Sequence, residues 1–293
     1  MELLNNWING VNDILWSYIL IIMLLGCAVW FTIKSRFVQF RMIGEMIRLL
    51  GDSAGKGEKG EKHISSFQAF AVSLASRVGT GNLAGVATAV AIGGPGSVFW
   101  MWLIALLGSA SAFIESTLAQ IYKRRADDGS SYGGPAYYIQ AVLKKRWLGI
   151  LFAGTLIVTY MGGFNMVAAF NIADSFRTYS FYQEGITPLI VGVILALIFA
   201  ICIFGGSKQI SKITGVLVPV MGVFYIVVAL FIVITHINLL PGVIISIVKG
   251  AFDFEAIFGG FAGSAIMQGI KRGLFSNEAG VGSAPVSYPH LRA

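Results

Sequence analysis

Seven stretches of this chain, at about 14–33, 66–92, 97–121, 148–175, 187–205, 213–235 and 254–285, are each long and apolar enough to cross a bilayer. Roughly 20 apolar residues cross a hydrocarbon core about 30 Å thick. Only 12% of the residues are charged, about half the share that covers a soluble domain. Lipid is therefore the solvent, and lipid leaves the backbone no partner except itself, so the spans must be helices. The predicted class is an all-α polytopic membrane protein. The first span is not a cleavable signal peptide: its flank Met1–Asp13 has no Lys or Arg, and no small-x-small site follows it.

Basic residues alternate between the loops. Lys34, Arg36, Arg41, Arg48, Lys56, Lys59 and Lys62 follow span one, Lys123, Arg124, Arg125, Lys144, Lys145 and Arg146 follow span three, and Lys208 and Lys212 follow span five. The loops between carry little more than Arg177 and Lys249. Positive-inside bias places the N-terminus outside and residues 34–65, 122–147 and 206–212 in the cytoplasm. The net charge of +7 thus reads as membrane orientation, and no basic face on a soluble module suggests nucleic acid. Cys27 and Cys202 fall inside apolar spans and read as small buried packing residues. His63, His236 and His290 are isolated, so no transition-metal spacing exists.

Between spans one and two, Phe37, Phe40, Ile43, Ile47 and Leu50 recur at helical spacing among cations, as in a helix lying on the interface. Gly51–Gly60 reads as a polar linker, and Gly93-Gly94-Pro95-Gly96 as a tight outside turn. Beyond it Phe99, Trp100 and Trp102 fit an interfacial belt. Residues 236–252, with Pro241, are too short to cross and read as an outside amphipathic or re-entrant piece. Glu115 within span three is read either as a functional intramembrane acid or as a side chain that snorkels towards, or forms a local ion pair with, Lys123.

Two spans are interrupted in the same manner. Span two contains Gly79-Thr80-Gly81-Asn82 and span seven contains Gly280-Val281-Gly282-Ser283, each a Gly-x-Gly followed by a small polar residue. Paired glycine interruptions in corresponding halves of a polytopic protein mark broken helices around a central binding site, the architecture of a transporter.

Four motifs carry a resemblance. The runs Val78–Ala87 (with Gly79-Thr80-Gly81-Asn82), Gly93–Gly108 (opening Gly93-Gly94-Pro95-Gly96), Gly133–Ile139 (opening Gly133-Gly134-Pro135) and Arg272–Pro285 (with Ser276-Asn277-Glu278-Ala279-Gly280) occur in this order. Together they resemble the alanine or glycine:cation symporter family. The resemblance implies a plasma-membrane protein (the bacterial inner membrane) that imports small neutral amino acids such as alanine or glycine with Na⁺, and has no other cofactor. It also implies the leucine-transporter-type inverted-repeat fold. Residues 1–65 would form an extra N-terminal helix and linker, 66–235 the first five-helix repeat, and 236–285 a connector and the first broken helix of the second repeat. The family continues past Pro285 with further spans, so 286–293 reads as a truncation scar, the fold as incomplete, and the chain as given is not expected to transport. In span four the family commonly has Val-Gln-Ala-Asn-Ser-Ile-Ala, whereas this chain has Val167-Ala168-Ala169-Phe170-Asn171-Ile172-Ala173. A different side-chain preference is expected.

An amino acid brings a carboxylate and an ammonium, and sodium needs hard oxygen ligands. Half-helix N-termini suit the carboxylate, and unwound carbonyls suit the cation. The candidate substrate residues are Gly79, Thr80, Gly81, Asn82, Gly163, Val167, Phe170, Ser276, Asn277, Gly280 and Gly282. The candidate sodium ligands are Asn82, Asn277, Glu278 and Ser283. Asn82 and Asn277 serve equally well as helix caps, and the span-four face as helix packing. An intramembrane enzyme would need a nucleophile and base facing each other, and no such set appears. A passive channel would need pore-lining rings from several copies.

Overall fold

The computed structural model describes residues 2–51, 66–75, 77–127, 131–253 and 264–286. Among the described residues, five helices are long and apolar enough to cross a membrane: Asn5–Lys34, Gly96–Ile121, Arg146–Asp174, Ile186–Phe204 and Lys212–Thr235. At about 1.5 Å per residue, the 26 residues of Gly96–Ile121 reach about 39 Å, beyond the ~30 Å core. The second and seventh predicted spans are missing from this set. The second is interrupted, and residues 254–263 of the seventh lie outside the described residues.

In chain order, α1 (Glu2–Ile14) passes through a π-helical turn, Leu15–Ile19, into α2 (Leu20–Lys34). Next come α3 (Val38–Arg41), α4 (Ile43–Leu50), α5 (Ser66–Ala75), α6 (Thr80–Gly93) and α7 (Gly96–Ile121). A two-stranded antiparallel pair follows, β1 (Arg124–Arg125) with β2 (Ser131–Tyr132), an exception to the all-α expectation. After it come α8 (Pro135–Leu143), α9 (Arg146–Val158), a π turn at Thr159–Phe164, and α10 (Asn165–Asp174). The chain continues with α11 (Ile186–Phe204), α12 (Gly206–Thr235), a 3₁₀ turn at Ile237–Leu239, α13 (Leu240–Ala251) and α14 (Ala265–Asn277).

The chain divides into two compact units. The first comprises Met1–Leu49, Gly81–Thr117 and Ala229–Gly282. In it α14 runs alongside α7 in the same direction. A Cβ on Gly269 would lie 2.5 Å from Trp100 Cβ, and one on Gly273 would lie 3.2 Å from Ile104 Cβ. The Gly269-x-x-x-Gly273 spacing thus lets the two helices approach to backbone distance, the usual way helices associate in lipid. Ile21 of α2, Ile104 of α7, and Met267 and Leu274 of α14 close the core between them. The apolar piece after span six is α13, which buries Ile247 and Ala251. It is fixed to the start of α7 by Trp100 Nε1, which donates to Ala251 O at 3.0 Å. The predicted Gly-Gly-Pro-Gly turn is present, with Gly94 at φ +76°. Phe37, Phe40, Ile43, Ile47 and Leu50 are all exposed, as an interfacial face requires.

The second unit comprises Leu50–Thr80, Leu118–Val228 and Ser283–Ala293. Gly134, at φ +115°, turns the chain into Pro135, the first residue of α8, where a missing N–H costs nothing. Lys144, left-handed at φ 54°, closes that helix. One face of α11, with Leu189, Val193, Leu197 and Ile201 at four-residue spacing, is exposed, which suits contact with lipid. The expectation that both cysteines are buried fails for Cys27, which is exposed, while Cys202 is half-buried. An apolar span hides a thiol from water by means of lipid, so hydropathy alone does not show which side chains are packed.

Candidate functional site

The first break lies between α5 and α6. Arg77 and Val78 both donate to Leu74 O, at 3.0 and 2.8 Å, and close α5. Gly79 is a bend, and Thr80 opens α6. Thr80, Gly81 and Asn82 therefore stand in the first helical turn, and the unwound stretch lies just before them, not at them. Their positions still suit the expected chemistry, because the first-turn N–H groups of a helix have no intrahelical acceptor.

The second break follows α14. Ser264 caps that helix by accepting from Met267 N at 3.3 Å. Asn277 is its last residue, and Glu278 turns left-handed at φ 51° with its N–H bonded to Leu274 O. Gly280 and Gly282 both take φ +84°. A side chain at either position would be strained, so the glycines are required by conformation. Helical geometry resumes at Ala284.

Within the first unit the two broken spans touch. Ser276 Oγ donates to Asn82 Oδ1. A Cβ on Gly81 would meet Phe275 Cδ1 at 3.0 Å and Ser276 Cα at 3.2 Å. The Phe275 ring in turn makes a T-shaped contact with Trp16, from the π turn of the N-terminal helix, at a centroid distance of 6.4 Å. Asn277 Nδ2 is buried against Gly108 and has no hydrogen-bond partner among the described residues. An unused N–H₂ donor suits an anion better than a cation.

Of the remaining candidates, Ser283, Gly163, Val167 and Phe170 belong to the second unit. Ser283 is buried. Beyond it, Gly134 lies so close to the restarting helix that a Cβ there would be 3.1 Å from Val286 Cα. Gly163 belongs to the π turn of the second unit and has open space beside it. Val167 and Phe170 are 43% and 66% exposed. The π turn itself was not foreseen, although the Gly162-Gly163 pair in mid-span was its visible sign. Glu115, for which two readings stood open, is 6% exposed and its Oε2 accepts Gly282 N–H at 3.1 Å. It is directed into the protein rather than out to the interface.

Residues 1–290 match the family described as the sodium:alanine symporter family. The chain belongs to that family. Its members are transporters and not enzymes. Among curated relatives, the amino-acid carrier protein AlsT of Bacillus subtilis is 50% identical over 282 residues, covering 96% of this chain and 58% of the relative. The probable sodium/glutamine symporter GlnT of the same organism is 48% identical over 284 residues, covering 97% and 58%. The sodium/alanine symporter AgcS of Methanococcus maripaludis is 40% identical over 284 residues, covering 96% and 62%. The chain thus spans about three-fifths of the length of these relatives.

Proposed function

We propose that the full-length protein is a symporter that imports small neutral amino acids, alanine and glycine first, together with sodium. The observation that carries this reading is the direct contact of the two broken spans through Asn82, Ser276 and Gly81. In this reading the first turn of α6 and Asn277 Nδ2 receive the substrate carboxylate. The oxygens of Asn82, Asn277, Glu278 and Ser283 serve the sodium ion, and Gly280 and Gly282 allow close approach at the second break. Gly163, Val167 and Phe170 of span four set the side-chain preference. The names of the relatives, which include alanine and glutamine symporters, support the amino-acid class. Alternating access would rock one repeat against the other around this site, within a multi-pass protein whose N-terminus lies outside. Uptake of labelled alanine and glycine into proteoliposomes, with and without a sodium gradient, tests the proposal. Accumulation should require inward-directed sodium, and uptake that ignores sodium or only equilibrates would refute symport.

A further inference from the structure

Gly108, Ser111 and Glu115 are three and four residues apart on α7, so they share one helix face. Successive members of that face meet successive residues of the second break. A Cβ on Gly108 would lie 2.4 Å from Asn277 Nδ2 and 3.2 Å from Ala279 Cβ. A Cβ on Gly280 would lie 3.8 Å from Ser111 Cβ. Glu115 Oε2 completes the series by accepting Gly282 N–H at 3.1 Å. Three residues of this segment, Glu278, Gly280 and Gly282, are left-handed, so the segment cannot hold its shape through a helical ladder. In a water-poor interior an unwound N–H needs an acceptor from elsewhere in the protein, and Glu115 supplies one for Gly282.

We propose that Glu115 is a positioning residue for the binding site. Through the Gly282 N–H bond it fixes the unwound 278–282 segment in the form that the substrate and ion meet. The inference rests on the proposed function for its consequence in transport, but the anchoring is measurable without transport. The acceptor oxygen is what matters, so E115Q keeps the role and E115A loses it.

Two measurements on the full-length protein test this. Amide hydrogen exchange of a peptide covering 278–283 should show a protected amide in the wild type, lost in E115A with at least about tenfold faster exchange and kept in E115Q. Exchange within 265–277 should stay within about twofold in both variants. In proteoliposomes E115A should raise KM for alanine at least about fivefold with a smaller change in maximal rate, and E115Q should stay within about threefold of wild type. A wild-type 278–283 peptide without any protected amide would overturn the proposal, whatever the variants do. So would E115Q that fails as badly as E115A, or E115A with wild-type exchange. A wild type without sodium-driven uptake would refute the symporter reading while leaving the exchange result standing.

Discussion

Gly81 marks the closest approach of the two broken spans, and adding a single methyl there tests whether that approach matters. In Gly81→Ala the new Cβ would stand 3.0 Å from Phe275 Cδ1 and 3.2 Å from Ser276 Cα. The Phe275 ring is restrained by Trp16, and Ser276 Cα is backbone and cannot rotate away. The α14 end must therefore shift by a few tenths of an ångström, which strains the Ser276–Asn82 bond. Overpacking of this kind costs about 1–3 kcal/mol. Gly81 lies in α6 at negative φ, so alanine also returns up to about 1 kcal/mol of helix propensity. Global stability should therefore change little, while the displaced site should bind alanine about 5- to 100-fold more weakly at saturating sodium. The assay is alanine binding by the purified full-length protein, with thermal unfolding run in parallel. Gly85→Ala, one turn further along the same helix with nothing within 4 Å of its Cβ, should keep its affinity within about twofold. Wild-type affinity in Gly81→Ala would refute the claim that this contact shapes the site.

Cysteine labelling should find positions beside Lys144 and Arg36 accessible from the cytoplasmic side alone, in keeping with the alternation of basic loops; labelling of either from outside would overturn the topology. Ala168→Gln should shift the ranking of alanine, glycine and larger amino acids in competition uptake, since it adds a hydrogen-bonding group beside Val167; an unchanged ranking would remove the span-four face from the pocket.

The membrane-crossing helices and the two breaks were legible in the sequence because lipid imposes simple rules. Apolar length defines a span, and Gly-x-Gly inside a span weakens a continuous helix. The positions of Gly94, Pro135, Gly280 and Gly282 follow from backbone conformation in the same direct way. The first break was misplaced by a turn because Thr80, Gly81 and Asn82 tolerate both a helical first turn and an unwound strand. Only the capping of α5 at Leu74 O decides between them. The part played by Glu115 could not be read locally, since its partner lies 167 residues away. The same holds for Asn82 and Ser276, 194 residues apart. Spacing along a helix reveals faces, but not which face meets which.

Inverted repeats would make the two breaks equivalents, yet this chain builds them by different means. Among the described residues of the first break no backbone is left-handed, and the break works by ending one helix and starting another. Its nearest charge in sequence is Arg77, and its restart presents first-turn N–H groups that have no intrahelical acceptor. The second break is a left-handed loop through Glu278, Gly280 and Gly282, with one acid, Glu278, in the loop itself. The electrostatic characters are opposite: donors and a cation at one break, a carboxylate at the other. A zwitterion carries the same division, and sodium adds to its positive end. Under the proposed function the carboxylate belongs at the start of α6 and the cations belong towards the 278–282 loop, because the reverse placement would set like charges together at both ends.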